Sequence, residues 1–276
     1  MNAVRASFLN RRTLTALGRA FVGALIFALP MLMTMEMWAI GSYVDPFKLM
    51  LLLVVSIPLL TGLSHIVGFE ATSSWGDDLV DAFVAICIAA IMAAVILFVL
   101  GVVSLSTPPG EVVGKIVLQT FPGSFGAVLA RGQLGERPDE PSEEQRQSYA
   151  GAMLLMAAGA IFLGLNLAPT DEIMVLAHSM DPAQEFVLIA LSLLIMHGIV
   201  YAVSFRGRPT LLPDEAFWSL FVRYTVPGYA FVLVISLYLL WTFGRTDGVQ
   251  WAEIASACVV LSFPAAVGAA ASRLIV

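Results

Sequence analysis

Thr34–Pro46 reads TMEMWAIGSYVDP, and 136 residues later Thr170–Pro182 reads TDEIMVLAHSMDP. The match extends without a gap from Leu29–Phe69 to Leu165–Phe205. Ten of those 41 pairs are identical, among them Thr34/Thr170, Glu36/Glu172, Asp45/Asp181, Pro46/Pro182, Ser56/Ser192, Gly62/Gly198 and Phe69/Phe205. Shared apolar composition does not by itself repeat a glutamate inside an apolar run. A second block, Glu111, Phe121-Pro122, Gly126-Ala127 and Arg131, recurs as Glu253, Phe263-Pro264, Gly268-Ala269 and Arg273 at an offset of 142. The two offsets differ by a six-residue insertion (142 − 136) in the second copy. The chain reads as an internal duplication.

Composition fixes the class. Apolar residues make up 59% of the 276 and charged residues 12%, against roughly 25% charged in soluble domains. The mean hydropathy is +0.89. The apolar runs are about 20 residues long, enough to cross a ~30 Å hydrocarbon core at 1.5 Å per residue. The short alternating segments of a barrel are missing. The fold class expected is therefore all-α, a polytopic membrane helix bundle of eight transmembrane helices as two parallel four-helix repeats. The net charge of −6 points to no nucleic-acid partner, because the charges sit between the apolar runs. Cys87 and Cys258 occupy unmatched positions within apolar runs and read as small buried hydrophobes.

Taken in order, Arg5, Arg11, Arg12 and Arg19 precede a first span at Ala20–Ile40. That span lacks a small-x-small cleavage site and is expected to stay as helix 1. Pro30 should kink it. Asp45-Pro46 and Asp181-Pro182 read as cap and first residue of matching helices, the first over about 46–68. Helix 3 is expected over about 79–105, helix 7 over about 216–243 and helix 8 over about 250–273. Val112–Ala130, with Lys115, Gln119, Pro122 and several glycines, is polar for a span, but its match to the last apolar run makes it one. The domains expected are a repeat over 1–131, a polar cytoplasmic linker over 132–147 and a repeat over 148–276.

With eight spans and a cytoplasmic N-terminus, Arg5, Arg11, Arg12, Arg19, Arg131, Arg137, Arg146, Arg206, Arg208, Arg223 and Arg273 fall inside. Lys48, Lys115 and Arg245 fall in outer loops, a split of 11 to 3 among 14 cations. A multi-pass protein of the bacterial inner membrane, both termini cytoplasmic, is expected. An even number of spans per copy gives the copies one orientation and a pseudo-two-fold axis along the membrane normal.

The residues that could carry chemistry are few. Glu36 and Glu172 hold the same place near the outer end of helices 1 and 5, where burying a carboxylate is costly. The second half-site adds Asp171, Thr170 and Asn166 where the first has Met35, Thr34 and Pro30. The expectation is an acidic cation or proton site, with the two glutamates approaching across the pseudo-axis and no basic side chain beside either. His178, six residues after Glu172, could join that cluster. Pro122 and Pro264 interrupt helices 4 and 8 and read as gating bends or as packing kinks, the latter the better bet. His65 and His197 read as hydrogen-bonded packing residues. No metal set, nucleophile elbow or nucleotide loop is present, so neither enzymatic activity nor a cofactor is expected.

Met33-Thr34-Met35-Glu36-Met37-Trp38 with Asp45-Pro46, followed by Gly68-Phe69-Glu70 and Trp75-Gly76-Asp77-Asp78, resembles a bacterial family of integral membrane proteins grouped as a domain of unknown function. The resemblance implies a multi-helix inner-membrane protein and carries no functional residue across. Two functions follow from the residues. One is a cation- or proton-linked small-solute transporter or channel. The other is a non-transporting accessory, sensor or structural membrane protein. The partners expected are the lipid bilayer and a cation or small solute; a homo-oligomer is left open.

Overall fold

Eight helices are long and apolar enough to cross a membrane. The computed structural model describes residues 11–67, 74–134, 149–206 and 213–275, and among these every regular element is helical. The first five helices are α1 (Arg11–Leu32), α2 (Met35–Tyr43), α3 (Pro46–Val67), α4 (Trp75–Val99) and α5 (Pro109–Leu134). Then follow α6 (Tyr149–Leu167), α7 (Glu172–Ser179), α8 (Pro182–Arg206), α9 (Pro213–Leu220), a π turn (Phe221–Thr225), α10 (Val226–Thr242) and α11 (Trp251–Ile275). The eight spans are α1, α3, α4, α5, α6, α8, the run Phe217–Thr242 and α11. The chain divides into two compact units, Met1–Glu143 and Glu144–Val276. Most of the expected linker, from residue 135 on, lies outside the described residues, as do Arg5, Glu70 and the loop 207–212.

The polar span is the centre of its unit. In the first unit α5 packs against α1, α2, α3 and α4; in the second α11 packs against α6, α7, α8 and α10. In α5, 67% of the apolar stretch within Pro109–Ala130 is buried in protein, against 17% for Pro182–Ile199 of α8. A helix surrounded by helices gains nothing from large apolar side chains and much from small ones that let backbones close up. That is why α5 carries Gly, Ser, Thr and Gln where a lipid-facing span carries Leu and Val.

Glycine sets the spacing. Gly23 of α1 meets Gly126 of α5 so closely that a methyl on either would overlap the other's carbonyl oxygen, and Gly159 of α6 meets Gly268 of α11 in the same way. Gly159 lies 136 residues after Gly23, and Gly268 lies 142 after Gly126, the same two offsets found in the sequence.

Two helix ends depend on a left-handed glycine. At Gly101 (φ +72°) α4 closes with Val102 N–H on Leu97 O and Gly101 N–H on Phe98 O. At Gly244 (φ +74°) α10 closes with Arg245 N–H on Leu240 O and Gly244 N–H on Trp241 O. Both are Schellman ends. The first stops α4 at Val99, short of the expected 105. The aspartate caps form as read. Asp45 Oδ1 accepts from Phe47 N at 2.7 Å, and Asp181 and Gln184 exchange side-chain bonds with each other's N–H, a reciprocal cap.

Candidate functional site

The expected helix 1 is two helices. It does not run on to Ile40 but ends at Leu32, and the chain restarts as α2 at Met35. Pro30 therefore lies in the last turn of α1 rather than at a mid-span kink. The four carbonyls that a helix end leaves open all find donors here. Leu29 O accepts from Met33 N–H, Pro30 O from Thr34 Oγ1 at 2.6 Å, Met31 O from Gln119 Nε2 at 3.0 Å and Leu32 O from Trp38 Nε1 at 2.9 Å. Gln119 is the reason a buried amide sits in α5. Its Nε2 closes the break, while its Oε1 is buried without a hydrogen-bond partner.

The second unit breaks at the same place by different means. α6 ends at Leu167, and α7 begins at Glu172. Thr170 Oγ1 donates to Leu167 O at 2.8 Å, as Thr34 does in the first unit. Asn166 Nδ2 donates to Phe162 O at 2.8 Å, leaving Oδ1 buried and unpartnered. Arg245 donates from Nη2 to Pro169 O and from Nη1 to Asp171 Oδ1 at 2.5 Å. The expectation of no basic side chain at the acidic cluster fails here. Arg245 follows the Schellman glycine directly, and the turn delivers its guanidinium to the break.

Glu36 and Glu172 each sit in the first turn of the short helix after the break. Glu36 is half-buried and Glu172 exposed, and each belongs to its own unit. Neither is in an ion pair among the described residues. What faces them is a helix N-terminus whose N–H groups receive no side-chain cap from Thr34 or Asp171. That positive end favours a carboxylate by about 0.3–1 kcal/mol. His178 lies exposed in the last turn of α7, roughly 9 Å along the helix from Glu172 at 1.5 Å per residue.

The short helices are docked on the central ones. Gly41 of α2 rests on Gly114 and Lys115 of α5. Ser42 Oγ donates to Glu111 Oε2 at 3.1 Å, and Lys115 Nζ reaches the same oxygen at 3.3 Å. Lys115 thus belongs to α5 with only 11% of its side chain exposed, not to an outer loop. Pro122 and Pro264 lie inside α5 and α11, which continue through them. Pro122 is in the fully buried stretch 121–128.

Two histidines turn out to be more organised than the sequence suggested. His65 Nδ1 is 2.9 Å from Asp78 Oδ2, and its ring stacks on Trp75 with centroids 4.5 Å apart and planes 14° from parallel. His197 Nδ1 is 2.9 Å from Thr225 Oγ1 and packs edge-on to Phe217 and Phe221. Thr225 belongs to the π turn, in which Val226 N–H bonds Phe221 O. Pro227 follows at once; it has no N–H and crowds the turn before it, so the wider turn relieves the clash. Aspartate, threonine and aromatic partners at 13 to 28 residues' separation leave no local pattern to read.

A family model described as "putative integral membrane protein (DUF2391)" matches residues 16–276. The chain belongs to that family. No curated protein and no solved structure matches it. Membership fixes an integral, multi-span membrane protein in contact with a lipid bilayer, in agreement with the eight apolar helices.

Proposed function

We propose that the chain is a cation- or proton-linked small-solute transporter or channel built as duplicated four-span repeats, 1–131 and 148–276, with Glu36 and Glu172 as one acidic half-site in each. The observation that supports this is the helix break at matched positions, with a glutamate starting the next helix each time. Discontinuous helices of this kind bring half-helix ends and freed carbonyls to solute sites in transporters. Thr34, Thr170, Asn166 and Asp171 line the same breaks. A non-transporting accessory or sensor role is the second reading. It is favoured by Arg245 neutralising Asp171 and by the side chains that already satisfy the carbonyls of the first break.

Purified protein melted in sodium, potassium or magnesium chloride against choline chloride separates the two. A cation held at a hundred times its Kd raises stability by about 2.7 kcal/mol. That gain is expected to disappear in Glu36→Gln/Glu172→Gln, which keeps shape and removes charge. If the double variant folds and keeps the wild-type cation response, or the wild type has none and no flux, the transport reading is lost.

The N- and C-termini are placed in the cytoplasm of a bacterial cell by the 11-to-3 split of cations. Reporter fusions at Val276 are expected to signal from the cytoplasm; an external signal reverses the orientation.

A further inference from the structure

The end of the first unit remote from Glu36 holds a second ionisable group. α3 starts beside α2 and carries His65 nineteen residues beyond Pro46, about 29 Å along its axis at 1.5 Å per residue. There it meets the start of α4. Asp78 is wholly buried, while a quarter of the His65 side chain is exposed. Ser64, next to His65, reaches Asp81 Oδ2 at 3.5 Å. The other charged residues on the elements packed around this junction are Asp77 on α4, Arg19 on α1 and Arg131 on α5.

The second unit supplies the comparison. His197 aligns with Thr61, one turn before His65 and on the same face of the matching span. Its Nδ1 also bonds the following transmembrane run at 2.9 Å, but through a threonine hydroxyl. A neutral partner is therefore enough to tie an imidazole across these two helices. A carboxylate is a costlier choice, because its desolvation penalty is several kcal/mol unless a cation and hydrogen bonds offset it. The protonated imidazole is such a cation. In that form His65 donates Nδ1–H to Asp78 and carries the extra proton on Nε2; in the neutral form the same Nδ1–H bond persists and Nε2 has given its proton up. The partly exposed ring takes up and releases the proton, and the sealed carboxylate holds it there.

We propose that His65 and Asp78 form a proton-binding site at the α3–α4 junction, at the opposite end of the unit from Glu36. As a proton site it stands independently; as the far station of a coupled proton it rests on the transport reading above.

The test is nitrogen NMR of the full chain in bicelles, labelled at its three histidines, with His178→Gln and His197→Gln assigning the signals. His65 is expected to change protonation state between about pH 5 and 8. Asp78→Asn is expected to weaken proton binding at His65 about tenfold or more, because a carboxylate at hydrogen-bonding distance favours the imidazolium. Asp78→Thr, which borrows the partner used in the second unit, gives the same comparison if the asparagine variant does not fold. A wild-type His65 that keeps one protonation state over that range overturns the proposal with no variant needed. So does a His65 curve identical in wild type and either variant. In vesicles holding a pH dye, absent proton-coupled flux beside a titrating His65 removes the transport reading and leaves this site standing.

Discussion

Leucine in place of Gly126 or Gly268 is expected to leave little folded protein, while leucine at Gly18 or Gly198 leaves the yield of monodisperse protein unchanged. The four positions are all helical glycines in or beside apolar runs, so helix propensity and insertion do not separate them. What separates them is the space around the absent side chain. At Gly126 a Cβ would meet the Gly23 carbonyl and the Phe27 ring, and at Gly268 it would meet the Gly159 carbonyl and Leu163. At Gly18 and Gly198 nothing lies within 4 Å. A side-chain neighbour can change rotamer, but a backbone carbonyl moves only with its helix. Even alanine must therefore push α1 off α5, or α6 off α11, and overpacking of this kind costs typically 1–3 kcal/mol. Leucine multiplies the displacement along helices that form the centre of each unit. Alanine at Gly268 that melts at the wild-type temperature would show that the backbones do not touch there.

These contacts also show how far the sequence could be read. The duplicated block from Leu29 to Phe69 and the offset block around Phe121-Pro122 were enough to place eight spans and to rescue the polar run Val112–Ala130. Its polarity reflects burial among helices, and only the structure shows that. The break before Met35 was not legible. Pro30 signals a disturbed helix, but its ring does not say whether the helix bends or ends. The deciding partners, Gln119 and Trp38, act through the carbonyls of Met31 and Leu32, one of them from 88 residues away. The end of α4 was open to reading, since Gly101 marks it, and Pro108-Pro109 drew the boundary too far on.

For the candidate site the repeat was both guide and blind spot. It singled out Glu36 and Glu172 because they match, and both do begin the helix after a break. It passed over His65 with Asp78 and Arg245 with Asp171 because neither pair has a counterpart at the same offset. A duplicated chain keeps its scaffold in the matched residues, and differences between the copies fall on unmatched ones. The unmatched polar residues of this chain, Gln119, His65, His197 and Arg245, each make a contact that the other unit makes differently or does not make.

Arg245→Met is expected to lower stability by about 2–3 kcal/mol, several times the loss from Asp171→Asn. The ion pair alone does not predict this ratio, since both variants delete it. Asp171 has 74% of its side chain exposed, and an exposed pair contributes about 0.2–1 kcal/mol. Asparagine there keeps a hydrogen-bond acceptor and leaves the second Arg245 bond untouched. Arg245 is only 19% exposed, and its Nη2 supplies the donor for the Pro169 carbonyl in the break between α6 and α7. Methionine fills similar volume but offers no donor. The carbonyl is then left open in a segment flanked by apolar helices, and an unmet acceptor costs about 1–3 kcal/mol in addition to the lost pair. Lysine at 245 keeps the charge but not the two-pronged geometry, so it should fall between the two. Thermal midpoints of the three variants in one detergent give the order. Equal losses in Arg245→Met and Asp171→Asn would mean that the Pro169 carbonyl finds another donor and that the arginine serves only as a counter-ion.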